Sequence, residues 1–177
     1  MTLQLTQKEQ QLLQDQTTHE KVCIQKYQQY AAKAGDPQLK ELFTSFAQQE
    51  QQHLDTINSL LNGQAPSMSQ QGQSQQGQSQ QSQGQQGQQG MQAQAGGQSG
   101  APATSLTGSA QASQADAMLC KDMLMTEKYV SGAYDTAIFE FADASVRQTL
   151  NHIQKEEQQH GEGIYNYLSS HGMYNTQ

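Results

Sequence analysis

Apolar side chains recur at steps of three and four residues in two stretches of the chain, about 1–62 and 114–177. This is the period of a helix with one buried face, and strand-like alternation is missing. A turn divides each stretch, at Asp36 in the first and at Asp143 in the second. Asp36 is a good N-cap, and Pro37 fits the first helical position, where a backbone N–H would have no partner in any case. We therefore predict two helical hairpins.

Local signals set the expected bounds of the four helices. Thr6 and Glu9 form a capping box that opens helix one. Gly63 is the stop signal of helix two. Helix three is expected to begin within 113–116 and to end near residue 142, and helix four to end near residue 170, before Gly172.

The second hairpin repeats the first. A shift of 107 residues, with no gap, aligns Glu20 with Glu127, Tyr27 with Tyr134, Asp36 with Asp143, and Glu50-Gln51-Gln52-His53 with Glu157-Gln158-Gln159-His160. A repeated unit that cannot bury its apolar face alone is expected to stack on its copy. We therefore predict an all-α protein in which two duplicated hairpins, 1–62 and 114–177, pair into a four-helix bundle.

A Glu interrupts the apolar inward face of every predicted helix, and a His follows it at the next inward position in helices two and four. These six residues are Glu20, Glu50, His53, Glu127, Glu157 and His160. The neighbouring inward positions of helices one and three are Thr17, Ile24, Leu124 and Ser131. Glu20 lies about sixteen residues before the Asp36 turn and Glu50 about fourteen after it, so at about 1.5 Å per residue both reach one level. We therefore expect the six side chains to meet in one layer of the core.

Four carboxylates in an apolar layer repel one another, and an unpaired buried charge is strongly unfavourable. One Glu from each of two helices, with Glu-x-x-His from each of the other two, is the ligand set of ferritin-like di-iron and di-manganese proteins. Carboxylate and neutral imidazole suit iron, manganese or zinc. We therefore predict two divalent metal ions, Fe or Mn first and Zn as a further option, and assign no catalytic residue. The alternative is a metal-free layer that holds waters and shared protons.

Tyr27 and Tyr134 stand one heptad after Glu20 and Glu127 on the same helix faces. In one interpretation they support the metal site, by hydrogen bonds to a ligand or as electron donors to the metals. In the other they are core aromatic residues whose hydroxyl groups are satisfied. The sequence leaves both interpretations open.

Between the hairpins, residues 63–113 are almost entirely Gln, Gly, Ser and Ala. Such a segment cannot bury enough apolar surface to offset the entropy lost on ordering, so we predict a disordered low-complexity linker. A flexible chain of about 50 residues has a root-mean-square span near 40 Å, enough to cross the bundle between parallel helices two and three. Its Gln density is as compatible with self-association as with an inert tether.

Charge and composition limit the kinds of partner that the protein can have. The formal net charge is −7 without a basic stripe, so we expect no nucleic acid partner. No apolar run approaches the roughly 20 residues that cross a bilayer, and the N-terminus lacks a secretory signal, so we expect synthesis in the cytoplasm and no membrane insertion. Cys23 and Cys120 form no CxxC pair, which favours two buried free thiols over a zinc or rubredoxin-type iron site.

Several segments of the second half resemble the spore coat protein F (Coat F) family. They are Lys121-Asp122-Met123-Leu124-Met125-Thr126-Glu127-Lys128, Tyr134-Asp135-Thr136-Ala137-Ile138, Ile153-Gln154-Lys155-Glu156-Glu157-Gln158-Gln159-His160, Ile164-Tyr165-Asn166-Tyr167-Leu168 and His171-Gly172-Met173-Tyr174. The resemblance covers about residues 116–175 and reaches the first half through the repeat. It implies a ferritin-like fold and synthesis in the mother cell. It further implies deposition in the spore coat, with other coat proteins or further copies of the chain as partners.

More distantly, the ligand set resembles those of bacterioferritin, rubrerythrin and manganese catalase. That resemblance implies that Glu50 and Glu157 bridge the two metals, while the other four residues are terminal ligands. A rubredoxin-like four-cysteine module and a fifth helix are missing from the sequence pattern, which argues against a rubrerythrin electron path and a closed cage. Three functions follow: a mainly structural or protective coat protein with a metal site, an oxidoreductase that removes peroxide or oxidises Fe²⁺, and a metal-free assembly module.

Overall fold

The computed structural model of the protein describes residues 3–64 and 105–174, with side chains described from 114 in the second range. Four helices account for most of these residues: α1 Gln7–Lys33, α2 Pro37–Leu61, α3 Ser105–Ile138 and α4 Ala144–Ser170. The described residues form no β-strand, and none of their helices is long and apolar enough to cross a membrane. The all-α class predicted from the sequence is confirmed.

The helix ends carry the predicted signals. The Thr6 hydroxyl accepts from the backbone N–H of Glu9, and the Glu9 carboxylate accepts from that of Thr6, which completes the capping box. Asp36 caps α2 by accepting from Gln38 N at 2.9 Å. Gly63 lies just past α2 with a positive φ of 74°, a conformation that glycine adopts without steric cost.

The bounds of α3 differ from the prediction at both ends. The helix begins at Ser105, inside the stretch assigned to the linker, because extending an existing helix gains one hydrogen bond for each residue that is fixed. It ends at Ile138 rather than near 142, since the chain turns there and buries Phe141. The rest of the predicted linker, 65–104, lies outside the described residues.

Two carboxylates join the hairpins at opposite ends of the bundle. Asp116 near the start of α3 accepts from Gly35 N at 2.8 Å and from Asp36 N at 3.1 Å. Glu9 near the start of α1 accepts from Ala142 N at 2.9 Å. Each carboxylate therefore accepts hydrogen bonds from backbone N–H groups in the turn of the other hairpin. The two residues occupy equivalent positions in the repeat. The contacts make α1 antiparallel to α3, so α2 and α3 run parallel, as the one-crossover topology requires.

Two apolar clusters form the core, one at each end of the bundle. One contains Tyr27, Phe43 and Ile164, and the other contains Tyr134 and Leu150, all of them fully buried. The six predicted polar residues lie between these clusters, in the middle of the helices. A layer of charge is thus enclosed by apolar side chains above and below.

The inward faces of α1 and α3 are rotated slightly from the prediction. Thr17, Ile24, Leu124 and Ser131 are only half-buried. Their preceding residues are the buried ones: Gln16, Cys23, Met123 and Val130. A helix has 3.6 residues per turn, so two adjacent positions compete for the inward direction, and contact with the neighbouring hairpin selects between them. Both cysteines are buried free thiols, as predicted.

Candidate metal centre

The bundle brings the six predicted residues into one buried layer. Each is at most 3 % exposed, and they come from all four helices: Glu20 on α1, Glu50 and His53 on α2, Glu127 on α3, Glu157 and His160 on α4. Their side chains meet because α1 and α3 each present a Glu opposite the Glu-x-x-His segments of α2 and α4. The centre of the bundle is therefore polar and buried.

The ligand atoms fall into two overlapping groups. The His53 position consists of Glu20, Glu50, His53 and Glu157, and the His160 position consists of Glu50, Glu127, Glu157 and His160. Within each group the four candidate atoms lie within 4.8 Å of one another. Glu50 and Glu157 belong to both groups, which is the arrangement that two bridging carboxylates would have. Such a layer is compatible with divalent metal binding.

Both imidazole rings point their Nδ1 atoms at the carboxylates. His53 Nδ1 lies 3.2 Å from Glu50 Oε2 and 3.1 Å from Glu157 Oε1. His160 Nδ1 lies 3.1 Å from Glu50 Oε1 and 3.6 Å from Glu157 Oε2. The ring centroids are 5.7 Å apart. Each histidine can therefore offer Nδ1 to a cation held by the shared carboxylates.

The outward nitrogen of each ring has a different partner. His53 Nε2 lies 3.0 Å from Glu156 Oε2, and His160 Nε2 lies 2.6 Å from Gln49 Oε1. An oxygen acceptor at Nε2 would keep a proton on that nitrogen, so that Nδ1 could bind a cation once the cation displaces the Nδ1 proton. These two outer residues favour the tautomer that a metal ligand needs.

The two tyrosines reach across the bundle. Tyr27 donates its hydroxyl to Glu127 Oε1, and Tyr134 donates to Glu20 Oε1. Both rings are fully buried, and burial raises the pKa of each hydroxyl well above its usual value. Each tyrosine thus stays protonated and fixes one oxygen of a carboxylate on the opposite hairpin.

The carboxylates retain oxygen atoms that match the ligands of a cation. Among the described residues, Glu20 Oε2, Glu127 Oε2 and Glu157 Oε2 are buried without a hydrogen-bond partner. Buried polar atoms are rarely left unpaired, and each one carries a desolvation penalty. All three lie in the layer of four carboxylates. The residues present are therefore compatible with divalent metal binding.

Without metal, the layer balances its charge with protons. Burial, together with the charges of Glu157 and Glu50, raises the pKa of Glu20 and Glu127 well above the usual range of Glu. Although burial alone would lower the pKa of His53, its bonds to Glu156 and Glu157 raise it well above the usual value. The pKa of His160 is also raised, by Glu157 and Glu50, against the effect of burial.

A cavity of about 520 Å³ lies between α3 and α4 and reaches the layer. Its inner wall includes Glu127 and Glu157, and its outer part includes Lys128 and Asp135. Gly161 contributes to the wall without a side chain that would narrow it. A small molecule or hydrated ion could approach the carboxylates from this side.

Sequence reasoning missed the outward partners of the two histidines and the cavity. It assigned no role at the site to Glu156, whose carboxylate lies 3.4 Å from His152 Nε2 and also contacts His53. It gave no role to Gln49. Both residues directly precede an inward Glu and occupy equivalent repeat positions, a signal that could have identified them. The cavity carries no such local signal, since it depends on how two helices pack.

The fold and site together define a ferritin-like helical bundle with a buried carboxylate–histidine layer. Two family models match the chain: the Coat F domain over residues 115–177 and Rubrerythrin over residues 5–80. The second hairpin is thus similar to the Coat F domain and the first to a ferritin-like family, which confirms the predicted resemblance. The Coat F match points to the spore coat. No curated protein and no solved structure matches the chain.

Proposed function

We propose that this protein is a spore coat component whose bundle holds two divalent metal ions, with a mainly structural and protective role. The ligands are Glu20, Glu50, His53, Glu127, Glu157 and His160, with Tyr27 and Tyr134 orienting two of the carboxylates. Fe or Mn is the preferred ion, and Zn would also suit the donor set. The protein is made in the mother cell and assembles with other coat proteins or with further copies of itself.

The observation that carries this proposal is the group of three buried carboxylate oxygens without a partner in the described structure. A layer built only for packing gains nothing from four carboxylates, whereas two divalent cations neutralise them and satisfy the free oxygens. The Coat F match supports the location.

When bound, the metals would supply positive charge and Lewis acidity at the centre of the bundle. Glu50 and Glu157 would connect the hairpins through shared coordination, because each contributes to both groups of ligand atoms. Binding to the folded state alone raises stability by mass action, by about 2.7 kcal/mol when free metal is 100-fold above its Kd. The second hairpin would thereby be held to the first.

The test is metal content and thermal unfolding of purified protein. We expect about two ions per chain and a higher Tm with Fe²⁺, Mn²⁺ or Zn²⁺ than after chelation, because ligands bound only by the folded state stabilise it. The variant Glu50→Ala with Glu157→Ala should lose both ions and the shift in Tm. Glu41→Ala with Glu162→Ala, a matched pair of exposed acids, should keep both.

Wild-type protein that binds less than one ion per chain under replete conditions would refute the metal site. That outcome would leave a metal-free assembly module as the function of the bundle. Location is tested separately, by a fluorescent fusion in sporulating cells: signal spread through the mother cell, with none on the spore, would refute the coat assignment.

One observation favours a second function, a di-metal oxidoreductase that consumes peroxide or oxidises Fe²⁺. The cavity between α3 and α4 leads to Glu127 and Glu157, so a small oxidant could reach the centre. A purely structural site has no need of such an opening. Loss of peroxide or oxidation of Fe²⁺, measured with loaded protein, separates the functions: two bound ions without turnover indicate the structural role.

A further inference from the structure

We infer that the two metal positions are unequal: the His53 position binds its ion more tightly than the His160 position and fills first, because Glu156 supports its histidine. This inference rests on the proposed metal site and concerns the regulation of its loading. It assigns to Glu156 and Gln49 the role of positioning residues that set the affinity of each position.

The argument begins with the symmetry of the inner ligands. Each position uses one histidine and one terminal Glu, and both share Glu50 and Glu157. The repeat relates His53 to His160, and the tyrosine bonds to Glu20 and Glu127 are equivalent as well. The inner residues alone therefore give no reason for unequal affinities.

The residues behind the histidines break this symmetry. Position 49 on α2 and position 156 on α4 are equivalent in the repeat, but the first is Gln and the second is Glu. Because each side chain crosses to the opposite hairpin, Glu156 contacts His53 at 3.0 Å and Gln49 contacts His160 at 2.6 Å. One histidine thus has an anionic acceptor behind it, and the other has a neutral amide.

A carboxylate behind a metal-bound histidine makes the ring a stronger donor and fixes its orientation. It also places a negative charge near the cation, on the far side of the buried imidazole ring. An amide oxygen orients the ring without adding charge. The half-buried Glu156 has a second neighbour, His152 Nε2 at 3.4 Å, whose ring is more exposed than that of His53 and weakens the effect only in part.

Stepwise titration of metal-free protein with Zn²⁺, followed by native mass spectrometry and calorimetry, tests the inference. Loss of such an outer partner typically weakens binding about 10- to 100-fold. We therefore expect Glu156→Gln to weaken the first step about tenfold, since both histidines would then have amide partners. Gln49→Glu should instead strengthen the second step and leave the first nearly unchanged.

Glu162→Gln is the matched control, because it removes the same charge from an exposed site on α4. It should leave both steps unchanged. The double swap Gln49→Glu with Glu156→Gln should restore the wild-type separation of the steps, with the order of filling reversed. Removal of one histidine reports the order of filling. In the wild-type background, His160→Ala should retain the tighter binding step. In the double-swap background, His53→Ala should retain it.

An unchanged first step in Glu156→Gln overturns the inference, and so does an equal weakening in Glu162→Gln. Wild-type protein that binds no Zn²⁺ refutes the proposed metal site itself. Two ions bound with steps that do not respond to residues 49 and 156 would leave the metal site standing and refute only the inequality. Circular dichroism of each variant verifies that the fold is intact.

Discussion

The two hairpins present the same residues to the centre of the bundle and different residues around it. Each contributes a Glu, a Glu-x-x-His segment and a tyrosine that bonds to the other hairpin. Around this layer the repeat diverges at several positions. The difference teaches that equivalent inner residues can have unequal environments, because the side chain behind each histidine comes from the opposite hairpin.

The walls of the two hairpins differ on the side of the cavity. In the second hairpin Gly161 and Ser131 line the opening, whereas the equivalent residues of the first are Leu54 and Ile24. Leu54 is 8 % exposed and fills its side of the bundle. Small residues on α3 and α4 therefore leave this side of the bundle open, where the first hairpin is filled.

The largest expected effect is the pH dependence of metal affinity, to which both hairpins contribute protonated side chains. Because the pKa values of Glu20, Glu127, His53 and His160 are raised, these groups hold their protons more tightly than free Glu and His do, and a cation must displace those protons. Affinity should therefore fall as pH falls, by about tenfold per pH unit for every proton released. Calorimetric Zn²⁺ titration at pH 6, 7 and 8, in two buffers of different ionisation enthalpy, measures the affinity and the number of protons released. A Kd independent of pH, without proton release, would contradict the assignment.

The next effect compares the two carboxylates that join the hairpins. Asp116→Ala leaves two backbone N–H groups without their acceptor and should lower the free energy of unfolding by about 1–3 kcal/mol. Glu9→Ala removes one such bond and the capping box, so we expect a loss of similar size. Urea unfolding measures both. Asp15→Ala, an exposed acid on α1, is the control and should stay within about 0.5 kcal/mol of wild type.

The smallest expected effect is on access. Gly161→Leu gives the second hairpin the residue that the first has at Leu54, so metal uptake should slow severalfold while the final content stays the same. Gly161→Ala is the control, because the added Cβ meets Leu124 Cδ1 at 3.6 Å, an ordinary contact. Stopped-flow uptake of Zn²⁺ gives the rates. Equal rates in all three proteins would mean that ions enter by another path.

Gly163 shows a limit of reading helices one at a time. A Cβ at this position would lie 2.7 Å from Phe46 Cζ, so glycine leaves room for a ring that packs 4.5 Å from that of His160. By contrast, a Cβ at Gly161 would lie 3.6 Å from Leu124 Cδ1, an ordinary contact distance. Both glycines lie on α4 beside His160, and only the packed bundle shows that a neighbouring ring approaches Gly163 and not Gly161.

Much of the fold was predictable because its signals are local or periodic. Capping at Thr6, Asp36 and Asp143 depends on a few neighbouring residues, and the structure has all three. The repeat placed two Glu-x-x-His segments at one level, and the structure brings them together. The early start of α3 was missed because propagation depends on the helix already formed. The burial of Cys23 in place of Ile24 was missed because helix rotation depends on contacts with the neighbouring hairpin.

The sequence by itself determined four helices, their pairing as duplicated hairpins and the six polar residues on their inward faces. Their role as metal ligands remains a prediction. Only the tertiary structure decided which partner stands behind each histidine, which tyrosine meets which carboxylate, and which side of the bundle opens. The physical reason is that helical periodicity fixes a direction within one helix, whereas these contacts depend on the separation and rotation of helices far apart in the chain.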